Sequence, residues 1–246
     1  MPQATTEPSP GSAPDPLAWL SDLEGVPSAY AATRDGIDVL LRDRGLRRTT
    51  PEQTGESLLR GAHASAVLEG STSSLEEIRA GAGDDLARAA VRLSTELLSL
   101  VPVMGRSPVQ AFARLHALTG GATPGQPVGP DASARLQALS RALLATSAPA
   151  LVVAALVHAE LVAAEAFLTH NGLVARAAER LVMVARGVDP ASLVVPEAGH
   201  LVLAAEYESN LRGYRDGGRA GLHAWMLYGA EAQTKGAEAS PLVRRD

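Results

Sequence analysis

Cysteine is absent from this 246-residue chain, which excludes disulfides, thiolate metal centres and cysteine nucleophiles. Aromatic residues are nearly as scarce, at 3% of the chain, and the strand formers Ile, Tyr and Phe are thin throughout. An excess of basic charge is missing too. The formal net charge of −5 and the sequence pI near 5.7 give no global field to attract nucleic acid or anionic lipid. The one basic cluster, Arg42, Arg44, Arg47 and Arg48, is interrupted by Asp43 and reads as a solvated helix end. A long uninterrupted apolar run is lacking as well. Ala148 to Leu168 comes nearest, but Pro149, His158, Glu160 and Glu165 break it, so a buried helix is expected rather than a membrane span. Met1 to Pro16 has neither the basic nor the apolar stretch of a secretory signal. These absences together predict a soluble, cytoplasmic protein without nucleic-acid or membrane partners.

What is present is helix-forming. Hydrophobic residues reach 46%, with Ala and Leu dominant, which predicts an all-α core. The Pro-, Ser- and Thr-rich residues 1–16 read as a disordered leader. Thr50-Pro51-Glu52 reads as an N-cap followed by proline at the first helical position, opening a helix that stops at Gly70. Ser73-Ser74-Leu75-Glu76-Glu77 offers two overlapping capping boxes for a short helix. A long helical stretch is expected from Asp84 to about Val103, and another from Ser107-Pro108. Residues 119–130, with four glycines and three prolines, must be a loop. Helices are then expected from Asp131 to Thr146, Pro149 to Glu165 and Leu173 to Arg186, with two more between Glu197 and Ala239. The organisation predicted is a leader at 1–16, an N-terminal helical segment at 17–56, one helical domain at 57–236, and a disordered tail at 237–246.

The chemically informative segment is the break from Glu165 to Arg176, sequence EAFLTHNGLVAR. A helix N-terminus entered through Asn171-Gly172 offers free backbone N–H groups and the positive end of the helix dipole to an anion. Arg176, in the expected first turn, could reach the same anion with its guanidinium fork. An ordinary helix–turn–helix connection with a surface arginine is the bland alternative.

That segment resembles the Fic (Fido) motif HPFx(D/E)GNGRxxR. The helix before it, with Val157-His158-Ala159-Glu160, resembles the family's lead-in helix. Ser65-Ala66-Val67-Leu68-Glu69-Gly70 fits the family's inhibitory signature (S/T)xxxE(G/N), and Glu206-Tyr207 through Trp225 resembles its closing helices. The likeness spans about Thr50 to Gly236 and implies a Fic-like helical bundle. It implies the family's chemistry only residue by residue. Glu165 stands where the family has its general-base histidine. Thr169 replaces the acid that holds magnesium, His170 replaces the first motif glycine, and Leu173 replaces the first motif arginine. Phe167, Asn171, Gly172 and Arg176 keep the family pattern and are the implied nucleotide- or anion-binding set. Ser65, Glu69 and Gly70 are the implied inhibitory set, with Glu69 pairing to Arg176.

The resemblance thus implies ATP as nucleotide and magnesium as its counter-ion, the latter with its carboxylate ligand missing. A carboxylate with a pKa of about 4.3 is poorly matched to general-base work near neutrality, and losing the base forfeits about 10²–10⁴ in rate. Thr169 is a neutral group where a hard cation prefers a carboxylate. Leu173 removes a cation aimed at phosphate. A catalytically degenerate binding or regulatory module is therefore expected, acting on a protein target or regulatory partner. The alternatives are an active nucleotidyl or phosphoryl transferase using Glu165 or His170 under Glu69 inhibition, and a plain helical interaction protein. Reading His170 as the motif histidine fails, because Asn171 and Gly172 would replace proline and phenylalanine. A histidine in a glycine's place reads better as a residue tolerating positive φ. His158 is expected to be buried and structural. His63, His116, His200 and His223 show no metal-ligand spacing, so no metal site is expected.

Overall fold

The computed structural model describes residues 14–42 and 49–243, and every structural statement concerns those residues. Arg44, Arg47 and Arg48 of the basic cluster, and residues 1–13 of the expected leader, lie outside them. The described chain is helical, without strands. Its helices are α1 (Val26–Arg42), α2 (Pro51–Leu68), α3 (Leu75–Arg79), α4 (Asp85–Glu96), α5 (Val101–Met104) and α6 (Pro108–Leu118), followed by α7 (Pro130–Ala145), α8 (Ala150–Ala164), α9 (Asn171–Ala185), α10 (Pro196–Val202), α11 (Ala204–Asp216) and α12 (Gly218–Glu238). None is long and apolar enough to cross a membrane.

Local chemistry sets several boundaries. Thr50 accepts from the Gln53 amide while the Gln53 side chain accepts from the Thr50 amide, a reciprocal cap on α2. Only the second of the two expected boxes caps α3: Ser74 pairs with Glu77, while the Ser73 hydroxyl accepts from the Asp84 amide at 2.9 Å. The stretch expected to be one helix from Asp84 to Val103 is broken. It tightens into a 3₁₀ turn at Leu97–Leu100 before α5, where Pro102 lacks the amide that a continuous α-helix needs. The C-terminal region holds three helices instead of two, because α10 stops at Val202 and the chain turns at Leu203 before α11.

Helices α8 and α9 form the centre. Buried residues run without a gap from Leu151 to Ala159 and from Leu173 to Val184. A helix buried all round needs neighbours on every side. These are α1, α7, α11 and α12 around α8, and α2, α4, α5, α6 and α10 around α9. Trp225 of α12 is fully buried and donates its indole N–H to the Ala155 carbonyl at 2.8 Å. Gly199 lets α10 lie directly on α12, since a Cβ there would collide with the Ala232 carbonyl.

Two expected boundaries need correction. Residue 56/57 is no domain edge, because α2 runs through it unbroken. Residues 237–243 are not a disordered tail: α12 continues to Glu238, and Ala237 and Ser240 are buried. The end of the leader is also tied down. Asp15 accepts from the Thr146 hydroxyl at 2.7 Å, the Ser147 amide at 2.7 Å and the Leu17 amide at 2.9 Å. These bonds, that from Thr146 foremost, hold its carboxyl well below the usual carboxylate range. Trp19 beside this tether is 42% exposed. Asp15→Ala is expected to speed limited proteolysis between Leu17 and Leu23 with little change in the melting temperature of the core. The tether's contribution is complete above pH of about 3.9, where free Asp ionises, and fades only as the pH falls well below it. Equal cleavage of both proteins would contradict the tether.

Candidate functional site

The turn between α8 and α9 takes a shape that the sequence makes costly. Glu165 ends α8 with φ 42°, and His170 precedes α9 with φ 60°, both in the left-handed region that non-glycine residues seldom occupy. His170 thus adopts the conformation expected of a residue in a glycine's place. The Asn171 side chain closes the turn on itself, accepting from the Phe167 amide at 3.0 Å and donating to its carbonyl at 2.7 Å. Around the outside, the Val128 amide donates to the Ala166 carbonyl at 2.9 Å, and the buried His116 ring stacks on Phe167 with centroids 4.2 Å apart. The glycine- and proline-rich loop therefore clamps the turn.

Below the turn lies a cleft of about 420 Å³, lined in part by Glu69, Phe167, Asn171, Gly172, Arg176 and Tyr207. Arg176 is its centre. It sits in the second turn of α9, not the first, because the helix begins at Asn171 rather than Leu173. It is 1% exposed, which removes the bland reading of a surface arginine. Its Nε donates to the Ser65 hydroxyl at 2.8 Å and its Nη1 to the Tyr207 hydroxyl at 3.0 Å. Its Nη2 donates to the Ser65 carbonyl at 3.1 Å and to Glu69 Oε1 at 2.6 Å. One guanidinium thus joins α2, α9 and α11. The Glu69 carboxylate lies over the start of α9, so close that a Cβ on Gly172 would collide with Oε1. The protein's own carboxylate thus stands against the first turn of α9.

The other sequence candidates fall elsewhere. The Glu165 side chain lines the rim, is 69% exposed, and pairs with Arg215 at 3.2 Å. Thr169 and His170 are outside the cleft lining and pack beside Gly121 instead. Leu173 is buried in the core, and Gly70 turns the chain out of α2 with φ 99°. Thr169 lies outside the cleft lining, and the carboxylates that line the cleft are those of Glu69 and Glu165. The Arg176 guanidinium that faces the cleft is already bonded to Glu69.

Beneath the cleft is a polar cluster that sequence spacing did not indicate. Glu179 Oε2 is 2.6 Å from His158 Nδ1 and 2.8 Å from His200 Nε2, while Gln233 donates to Glu179 Oε1 at 3.0 Å. The far nitrogens of the rings meet the Tyr207 hydroxyl at 2.9 Å and the Tyr228 hydroxyl at 2.8 Å. His158 is buried, as expected, and burial with the neighbouring His200 pushes it down to about 4. Burial alone would raise Glu179, but His200 and His158 hold it well below the usual range. The available signal was the charged trio Arg176, Glu179 and Arg180 inside an otherwise apolar helix. Arg180 makes its own buried pair with Glu197 at 2.8 Å.

A double substitution tests the packing of Glu69 on Gly172. Gly172→Ala alone should lower the melting temperature by displacing Glu69. In the Glu69→Gly background the same change should stabilise by up to about 1 kcal/mol, since alanine is the better helix former. Additive effects in denaturant titrations would refute the contact.

No protein-family model matches the chain, and no curated protein sequence matches it. Solved structures do. A Fic family protein from Desulfovibrio desulfuricans G20 superposes with TM-score 0.69 at 17% identity, over 85% of this chain and 73% of that one. A fragment of Fic-1 from C. elegans gives 0.62 at 18% identity, over 86% of this chain and 72% of that one. A glutamate-to-glycine variant of that fragment gives 0.63 at 17% identity, over 89% and 72%. At such identities the likeness speaks for architecture alone, and on that evidence this all-helical chain has the Fic fold.

Proposed function

We propose that the chain is a Fic-fold nucleotide- or anion-binding regulatory module in which AMP transfer from ATP to a protein hydroxyl has been lost and the internal lock has been kept. The observation that carries this reading is the position of the Glu69 carboxylate, bonded to Arg176 and seated on Gly172. A carboxylate in that place competes directly with a phosphate for the same guanidinium and the same helix end. Of the groups that would perform the transfer, Glu165 alone lines the same cleft. Glu165 is engaged by Arg215 at the exposed rim, while Thr169 and His170 face the Gly121 side. Glu165 could serve as base only after leaving Arg215, and His170 lies outside the cleft lining.

The expected partner is a protein that senses whether the cleft is open, with ATP or another phosphate compound as the opening ligand. Isothermal titration of ATP into the wild type and Glu69→Gly, followed by incubation with labelled ATP and mass analysis of both proteins, tests the proposal. Glu69→Gly should bind ATP at least tenfold more tightly and transfer no label. The same change leaves Arg176 without its carboxylate and should lower stability, by less than the about 3–5 kcal/mol typical of a fully buried pair. Glu69 is smaller in effect because 23% of its side chain is exposed. Label on either protein would replace this reading with an active, autoinhibited transferase. Equal, negligible ATP binding by both would leave the fold as an interaction scaffold.

A further inference from the structure

We propose that His158, Glu179 and His200 form a binding site for one divalent transition metal ion of the zinc class, independent of the nucleotide cleft. The donor atoms His158 Nδ1, His200 Nε2 and a Glu179 carboxylate oxygen lie within 4.8 Å of one another. They come from three separate helices, α8, α9 and α10. Two imidazoles and one carboxylate are a familiar donor set for zinc, with a fourth position left for water. Each donor is held from behind: the Tyr207 hydroxyl on His158, the Tyr228 hydroxyl on His200, and the Gln233 amide on Glu179. Such outer hydrogen bonds fix ring orientation in metal sites.

Charge argues in the same direction. Arg176 is engaged by Glu69, and Arg180 by Glu197. The ion-pair contacts of Glu179 are to His158 and His200 alone, at 1% exposure. Hydrogen bonds from His158, His200 and Gln233 satisfy this carboxylate without a fixed cation, and a divalent ion at its shared oxygen would supply one. Tautomer exchange makes room for it. In the metal-free network both ring nitrogens facing the carboxylate carry hydrogen, because the carboxylate can only accept. On coordination, each ring moves that hydrogen to its far nitrogen, where the tyrosine oxygen accepts it, and the metal takes the two freed lone pairs and Oε2. The total number of protons is unchanged. A tetrahedral ion at about 2.0–2.1 Å from each donor needs the donors roughly 3.3 Å apart. The rings therefore have to back away from Oε2 by roughly half an ångström or slightly more, and the two imidazole nitrogens, which lie within 4.8 Å of each other, have to settle at that same spacing of roughly 3.3 Å.

The full chain, produced without a polyhistidine tag, stripped under denaturing chelation and refolded with zinc or cobalt, tests the site. Refolding lets the ion reach a centre that the folded protein closes off. One zinc per chain should survive desalting and raise the melting temperature over that of protein refolded without metal. Cobalt should give the strong visible bands of a four-coordinate ion. Glu179→Gln, which keeps shape and loses the charge, should lose the retained ion and the bands. Wild-type protein that retains no zinc and shows no cobalt bands would overturn the proposal, leaving the cluster as a hydrogen-bonded network only. Retention undiminished in Glu179→Gln would overturn it equally, by placing the ion elsewhere. Where Glu179→Gln does not fold, His200→Gln is read in the same way, and a wild type that binds no ion decides against the site by itself.

Discussion

A guanidinium removed from water holds the working half of this molecule in register. Arg176 keeps its charge at any accessible pH, so each of its donors needs a partner inside the protein. Ser65 on α2, Glu69 just past its end and Tyr207 on α11 provide them. This requirement explains why α2 lies against α9 at that height and why its last turn reaches the mouth of the cleft. The cleft is therefore a consequence of a structural bond, and its occupancy by Glu69 is part of that bond.

The same helix repeats the arrangement deeper in the core. Arg176, Glu179 and Arg180 fall on neighbouring turns of α9, and each recruits a different neighbour: α2 and α11, α8 and α10, then α10 and α2 again through Glu197 and Ser57. Ala and Leu supply the burial that drives collapse, but small aliphatic side chains pack acceptably in many registers. A column of buried polar groups with fixed partners is far less tolerant, since each misalignment leaves a group unpaired.

The helical class, the cap at Thr50, the loop at 119–130 and the pairing of two glutamate- and arginine-bearing segments were legible in the residues. Their signals are local or carried by motif order. The break at Leu97 was missed because an apolar run masks a change from α to 3₁₀ winding, although Pro102 marked it. The additional turn at Leu203 has no strong breaker residue. The histidine cluster was invisible for a different reason: His158, Glu179 and His200 lie on separate helices, and sequence spacing detects ligand pairs only within one element. The left-handed His170 was readable from its place in the glycine-rich motif. The outward pairing of Glu165 was not, because Arg215 arrives from a helix fifty residues away in sequence.

The chain carries two tryptophans, and the fold places them in opposite surroundings. Trp19 is part-exposed to water beside the Asp15 tether, whereas Trp225 is sealed within reach of both core imidazoles, its ring centre 5.2 Å from that of His158. Their emission separates by colour and by access to dissolved quenchers. Loosening of the amino-terminal edge and rearrangement of the interior thus report through different fluorophores, without any label having to be introduced.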